Sequence, residues 1–363
     1  MKKINPKTFL NFILKNKIEF FCGVPDSILK NFTNCIENKN NHIITANEGN
    51  AVATAAGFHL ATNKIGLVYM QNSGLGNAIN PLTSLVNKKT YSIPMVLLIG
   101  WRGEGGEDEP QHLLPGEILR DQLNLLKIKN IVLNFKNYRA DVEKLIKFSS
   151  NNSLPVAILV KKNSFDNSMK VERINRIDIS RSHAIDCILE NLYRDDVIFS
   201  STGKISREII KSKFYKKEYN NVFFNVGAMG HTASLAFGMS LYTNKRVICI
   251  DGDGSFLMHM GSIPVITKNI KKFHYILLNN GAHESVGGQK TVAYDLNLLQ
   301  LSKSLGFSSQ FSVRSKSNLK KNIKRILSNN ENSFFEIKIN LSNSGELPRP
   351  ENLKKLKSKF CNI

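Results

Sequence analysis

Short apolar runs alternate with stretches of helical spacing along almost the whole chain, the pattern of α/β domains built on parallel sheets. Phe9, Phe12 and Ile13 predict a helix over 6–16, and the runs at 18–22, 42–45, 65–70, 93–99 and 156–160 predict strands. A helix over 138–148 turns Val142, Leu145, Ile146 and Phe148 to one side. The rhythm lapses in the polar, lysine-rich stretch 161–177, so a linker is expected at 163–177, between domains over 1–162 and 178–345. Beyond it come a helix capped by Ser180 and running to Leu192, and strands at 197–200, 221–226, 247–250 and 275–278. Helices over 296–305 and 319–327 flank a strand at 307–313, and a strand at 334–339 closes the second domain. A loosely packed basic tail is expected over 346–363. The fold class is α/β, with two doubly wound parallel-sheet domains and no room for a middle domain.

The densest chemistry lies between Arg246 and Glu284. There a β-branched strand breaks into Asp251-Gly252-Asp253-Gly254, a helix-length segment follows, and a second strand ends in Asn279-Asn280-Gly281. Strand, helix and strand make a βαβ unit, whose parallel strands deliver both polar clusters to one carboxyl edge, where open α/β sheets bind ligands. The Asp253 carboxylate, the Asn280 amide oxygen and a carbonyl of the following turn form an oxygen-only set with one charge. Such a set suits Mg²⁺ or Ca²⁺ that a phosphate also holds. The glycines let backbone N–H groups approach phosphate oxygens.

GDG followed by NN at this distance resembles the signature of thiamine-diphosphate enzymes, in which Mg²⁺ anchors the diphosphate of the cofactor. The resemblance implies thiamine diphosphate and Mg²⁺ as cofactors, with Asp253, Asn280 and the Ala282 carbonyl as the metal's protein ligands. It implies cofactor contacts from Gly252, Asp253, Gly254, Ser255 and Asn280, and from the backbone near Glu284 and Ser285. In the turn Gly227-Ala228-Met229-Gly230, Met229 matches the apolar wedge that bends the cofactor, and Gly227 offers a carbonyl to its amino group. His231 reads either as a helix cap or as a proton carrier.

Other turns carry residues that stay ambiguous by themselves. Asp26, in Gly23-Val24-Pro25-Asp26, is either a helix cap or an acid at the sheet edge, and the turn resembles that of thiamine-diphosphate-dependent 2-oxoacid decarboxylases. Glu48 opens a helix rich in alanine and glycine, where a carboxylate is either held by the helix dipole or is a functional acid of raised pKa. The resemblance assigns Glu48 to the hydrogen bond that activates the aminopyrimidine ring. Asn72, in Gln71-Asn72-Ser73-Gly74, reads as a turn residue or as a lining of the cofactor cleft. The spacing there is not that of a dinucleotide fingerprint, and Ser201-Thr202-Gly203-Lys204 fails as a phosphate loop because Ile205 follows the lysine.

Between Trp101 and His112 the chain turns glycine-rich and acidic, reading as a long loop at the carboxyl edge. Its ending, Asp108-Glu109-Pro110-Gln111-His112, resembles the branch of the family that decarboxylates phosphonopyruvate, with the sulfonate analogue sulfopyruvate as the alternative substrate. That resemblance places Gln111 and His112 at the substrate, with Glu48, Asp26, His112 and Gln111 as the catalytic set, and offers Arg102 to an anionic group. The activity implied is non-oxidative decarboxylation to phosphonoacetaldehyde and CO₂ through a carbanion at C2 of the cofactor, in a homodimer or higher homo-oligomer.

Charge and cysteine content change this picture little. Fifty Lys and Arg against 29 Asp and Glu give a net charge of +21, which invites nucleic acid as a partner. The lysines are spread through surface stretches with no aromatic interleaving, so no nucleic-acid partner is expected, and a positive field instead favours an anionic substrate. No apolar run nears the roughly 20 residues that span a bilayer, so no membrane partner is expected. Five scattered cysteines without pairing motifs and an N-terminus with no apolar core predict a cytoplasmic protein.

Overall fold

The computed structural model describes residues 2–37, 39–167, 177–215, 221–341 and 345–362; most of the expected linker, 168–176, lies outside them. The chain divides into two compact units, one of residues 1–172 with 286–289, the other of 173–285 with 290–363.

Unit 1 carries the strands β1 (Phe21–Gly23), β2 (His42–Ile44), β3 (Gly66–Gln71), β4 (Met95–Trp101), β5 (Lys129–Val132) and β6 (Pro155–Lys161). They form one sheet in the order β2-β1-β3-β4-β6-β5, and every pairing is parallel. Its helices are α1 (Pro6–Lys15), α2 (Lys30–Ile36), α3 (Glu48–Thr62), α4 (Leu75–Ser84), α5 (Pro110–Leu125) and α6 (Tyr138–Asn152).

Unit 2 has β7 (Val197–Ser200), β8 (Val222–Phe224), β9 (Val247–Gly252), β10 (Phe273–Asn279), β11 (Ser309–Val313) and β12 (Ser333–Lys338). Their order is β11-β12-β10-β9-β7-β8, again parallel throughout. Read from the other edge, the two sheets have one and the same plan. The helices here are α7 (Arg181–Glu190), α8 (Lys204–Lys211), α9 (Thr232–Ser240), α10 (Asp253–Met258), α11 (Ile263–Asn269), α12 (Leu298–Ser304), α13 (Lys316–Leu327) and α14 (Leu353–Phe360).

Each sheet is buried on both faces, which is why its central strands read as unbroken apolar runs. Along β4, Val96 and Leu98 enter one core while Leu97 and Ile99 enter the other. Along β10, Ile276 and Leu278 pack on one side, with Phe273, Tyr275 and Leu277 on the opposite side. Truncating one such side chain to alanine costs about 2–5 kcal/mol, because the layers on either side cannot collapse into the gap.

Three features depart from the sequence expectations. β5 was not anticipated: it is an edge strand, Lys-Asn-Ile-Val, only partly buried and without an apolar run. The loop after β4 is shorter than expected, because Pro110 starts α5 and puts Gln111 and His112 on its first turn. The tail is not loose, for α14 buries Phe360 edge-on against Phe199 and Phe223.

Candidate active site

In unit 1 the carboxyl ends of β1, β3 and β4 gather three polar groups. Asp26 lies just past β1 and is fully buried; its Oδ1 accepts from the N–H groups of Ile28 and Leu29, both at 2.9 Å. It therefore caps the turn before α2, whose own N-cap position is Leu29. The second oxygen, Oδ2, is buried with no hydrogen-bond partner among the described residues. Desolvation raises the pKa from 3.8 to about 6, against the pull of those backbone donors and of Arg102. The carboxyl rests on Gly100, where a Cβ would sit 2.1 Å from Oδ1.

Glu48 is the first residue of α3, after the cap in which Asn47 accepts from Asn50 N–H. It is buried, its Oε2 takes a 2.7 Å hydrogen bond from Asn77, and burial raises its pKa. Gly74 makes room for it, since a Cβ there would fall 2.1 Å from Oε1. Asn72, beyond β3, is locked to the end of β4. Its Nδ2 donates to the Arg102 carbonyl at 2.9 Å, and its Oδ1 accepts from Arg102 N–H at 3.1 Å. The side chain thus spans two strand ends.

Gln111 donates to Glu109 at 2.7 Å. Nδ1 of His112 is buried without a partner among the described residues, and desolvation aided by nearby Arg102 lowers its pKa to about 4. The imidazole is consequently neutral at pH 7. Arg102, a candidate for an anionic ligand, instead grips Asp108 through Nε and Nη2 and reaches Ser27 through Nη1 at 3.1 Å.

In unit 2 the register pairs Leu278 with Gly252, so Asp253 and Asn280 lie just beyond neighbouring strand ends. Asp253 is buried, and its Oδ2 accepts from the Thr291 hydroxyl. Desolvation raises its pKa from 3.8 to about 6. Among the described residues no Lys or Arg pairs with it directly. Asn280 Oδ1 accepts from Ala282 N–H at 3.1 Å, and the Ala282 carbonyl accepts from Glu284 N–H at 2.9 Å. The N–H of Glu284, offered to a diphosphate by the sequence, is therefore engaged within its own turn. The Glu284 carboxylate pairs with Arg181 and Lys204 and accepts from Asn280 Nδ2 at 2.8 Å.

Asp251, the first acid of the motif, is structural, accepting from Tyr275 OH at 2.8 Å. Ser255 accepts from Gly230 N–H at 3.0 Å and so ties the Gly227–Gly230 turn to α10. Met229 is half-buried, its Cε near the open side of Gly254, and the exposed Ser285 reaches toward Gly203. His231 sits at the N-cap position of α9 without a side-chain cap bond, which removes the capping alternative.

These residues fit a divalent ion and a diphosphate. The donors are all oxygens, and a buried carboxylate without a formal cationic partner awaits positive charge. Gly254 leaves open the space that a Cβ would fill, only 2.7 Å from His283 Cε1.

The sequence reading missed the supports around these groups. Thr291 lies 38 residues from Asp253, beyond any local pattern. Asn77 stands on the first turn of α4, three residues beyond Gly74, where sequence alone gives it no distinguishing mark. The roles of Gly74 and Gly100 need the fold, because each works through a side chain from a distant strand end.

Thiamine pyrophosphate enzyme, N-terminal TPP binding domain, matches residues 7–125, and Thiamine pyrophosphate enzyme, C-terminal TPP binding domain, matches 203–337. The chain therefore belongs to the thiamine-pyrophosphate-dependent enzymes, and thiamine diphosphate is its cofactor. Within that class it is a decarboxylase. It is similar to phosphonopyruvate decarboxylase of Streptomyces viridochromogenes, 32% identical over 78% of this chain and 76% of the relative. The protein of that name from Streptomyces hygroscopicus is 31% identical over 78% and 75%. Sulfopyruvate decarboxylase of Methanosarcina acetivorans is 27% identical over 93% and 92%.

Proposed function

We propose that this chain decarboxylates phosphonopyruvate, taking up one proton and releasing phosphonoacetaldehyde and CO₂. The observation that carries the substrate assignment is the likeness to the two Streptomyces proteins over more than three-quarters of this chain. Asp253, Asn280 and the Ala282 carbonyl would hold Mg²⁺, and the glycine-lined turns at 252–255 and 227–230 would hold thiamine diphosphate. That cofactor supplies a nucleophilic carbon and an electron sink for the bond to the departing carboxylate.

The protein's own part is to position and to move protons. Glu48, buried and of raised pKa, is suited to hold a hydrogen bond to the cofactor's pyrimidine ring while itself fixed by Asn77. Asp26 is a better donor than His112 for the proton that replaces CO₂. With pKa values of about 6 and about 4, roughly a tenth of Asp26 is protonated at pH 7, against about a thousandth of His112. The open Oδ2 of Asp26 is the atom from which that proton would leave. Neutral His112 and Gln111, on the first turn of α5, are suited to hydrogen-bond the substrate.

Sulfopyruvate is the second reading, favoured by the longer match to the Methanosarcina protein. We assign the two halves, 1–162 and 178–345, to the pyrimidine and the diphosphate ends of the cofactor, respectively. A homodimer is the least assembly proposed, supported by exposed apolar positions such as Leu60 on α3 and Leu235 on α9. Among the described residues no helix is long and apolar enough to cross a membrane, and the five cysteines are free; both support a cytoplasmic enzyme of phosphonate metabolism.

The deciding experiment measures CO₂ release from phosphonopyruvate and sulfopyruvate side by side, with and without added thiamine diphosphate and Mg²⁺. Cofactor-dependent release from phosphonopyruvate is expected, and preference for sulfopyruvate would transfer the assignment to the second reading.

A further inference from the structure

Arg102 follows β4 directly, and its backbone is held on both sides by Asn72, so its guanidinium stands at the sheet edge that carries Asp26 and Ser27. Four donors converge there on one carboxylate. Nε of Arg102 reaches Asp108 Oδ2 at 2.7 Å and Nη2 reaches Oδ1; Gly103 N–H donates to Oδ2 at 2.9 Å and Glu109 N–H to Oδ1 at 2.8 Å. A planar fork flanked by backbone N–H groups is an arrangement that recognises carboxylate, phosphate and phosphonate alike.

The two sides of this seat differ in how firmly they are held. Gly103 has φ +76° and lies against α5 so closely that a Cβ would meet the His112 carbonyl at 1.9 Å, so the Gly103 N–H beside Arg102 is fixed. The segment that leads to the occupant is exposed. Gly105 and Gly106, with φ +79° and +80°, are exposed, have open space around them and precede the exposed Glu107. Asp108 can therefore leave by rotation about these glycines while Glu104 stays tied to Lys161.

We propose that Arg102 is the residue that reads the distal anionic group of the substrate, and that Asp108 keeps its seat until the substrate arrives. This deepens the phosphonopyruvate reading and rests on it. A 2-oxoacid without a distal anion, such as pyruvate, cannot replace Asp108, so the exchange itself selects for the phosphonate. A dianionic phosphonate brings more charge to the guanidinium than the carboxylate it displaces.

The test compares wild type, Arg102→Gln, Arg102→Lys and Asp108→Asn, each checked for thermal stability. Turnover of phosphonopyruvate and of pyruvate is measured, together with calorimetric binding of phosphonoacetate, which carries the anion but no ketone. Arg102→Gln should raise KM for phosphonopyruvate on the order of 50-fold, the scale of a lost charge-assisted bidentate contact, while any change in kcat, which follows from losing the pull of Arg102 on Asp26, is shared by pyruvate. Arg102→Lys, which keeps the charge without the fork, should fall between and serves if the glutamine variant does not fold. Asp108→Asn should lower KM for phosphonopyruvate and tighten phosphonoacetate binding by about three- to tenfold.

The proposal is overturned if Asp108→Asn raises KM, if the Arg102 variants impair both substrates equally, or if wild type does not bind phosphonoacetate. Wild type that binds phosphonoacetate through Arg102 yet releases no CO₂ from phosphonopyruvate would instead overturn the functional reading and leave the anion seat standing.

Discussion

Replacing Asp26 by asparagine isolates the cost of a buried acid. In the unfolded chain this carboxyl ionises near its ordinary value of 3.8, whereas in the fold it does so at about 6. Because the folded pKa is the higher, Asp26 favours the fold fully below about pH 4, and that contribution is lost as pH rises through about 6. At about 1.36 kcal/mol per pKa unit, the loss amounts to roughly 3 kcal/mol. Asparagine keeps the acceptor for Ile28 and Leu29 N–H, does not titrate, and puts an NH₂ where Oδ2 now lacks a partner. That unpaired donor costs about 1–3 kcal/mol at every pH, so the test lies in the slope rather than in the absolute stability. Urea denaturation from pH 4.5 to 7.5 should show the asparagine variant gaining on wild type by about 2 kcal/mol, the remaining ~1 kcal/mol being already lost at pH 4.5; the gain is equivalent to roughly 4–8 °C in Tm. Parallel curves for the two proteins would refute the reasoning, because they would mean that Asp26 titrates alike in both states. Turnover should fall on the order of 10²-fold in the same variant, through loss of the proton donor.

Three further outcomes are expected. Glu48→Gln should keep thiamine diphosphate bound, as read by equilibrium dialysis, and lose about 10²–10⁴-fold in turnover. Gly74→Ala should lower turnover on a similar scale with an unchanged circular dichroism spectrum, since the added methyl displaces the Glu48 carboxyl; near-normal activity would show that the side chain has another place to stand. Asp253→Ala should abolish Mg²⁺-dependent retention of thiamine diphosphate, and dialysis that finds cofactor affinity unchanged would remove Asp253 from the metal.

Most of the architecture could be read from the sequence because buried parallel strands leave an unmistakable mark. The runs around Leu97 and Leu277 are apolar at every position since both faces are covered. β5 and α14 escaped for other reasons: an edge strand with one wet side has no apolar run, and α14, though Leu353, Leu356 and Phe360 keep helical spacing, is short and mostly lysine. At the site, strand-end residues such as Asp26, Glu48, Asp253 and Asn280 were visible because turns concentrate polar residues. What fixes them was not: Asn77, Thr291 and Arg181 act across 29, 38 and 103 residues of chain, on Glu48, Asp253 and Glu284 in turn. The pairing of Arg102 with Asp108 was hidden differently, since the sequence offers Arg102 to an external anion and gives no sign that a carboxylate six residues on folds back to it. Only the fold shows one side chain closing upon the other.

The shared strand order has a genetic corollary. All six strands of one sheet come from residues 21–161 and all six of the other from 197–338, so among the described residues neither sheet borrows a strand from the opposite half. A gene cut between those segments would still encode two polypeptides with unbroken ladders. Such a pair of messages, expressed separately, could be mutated, tuned in dosage and mixed between species half by half.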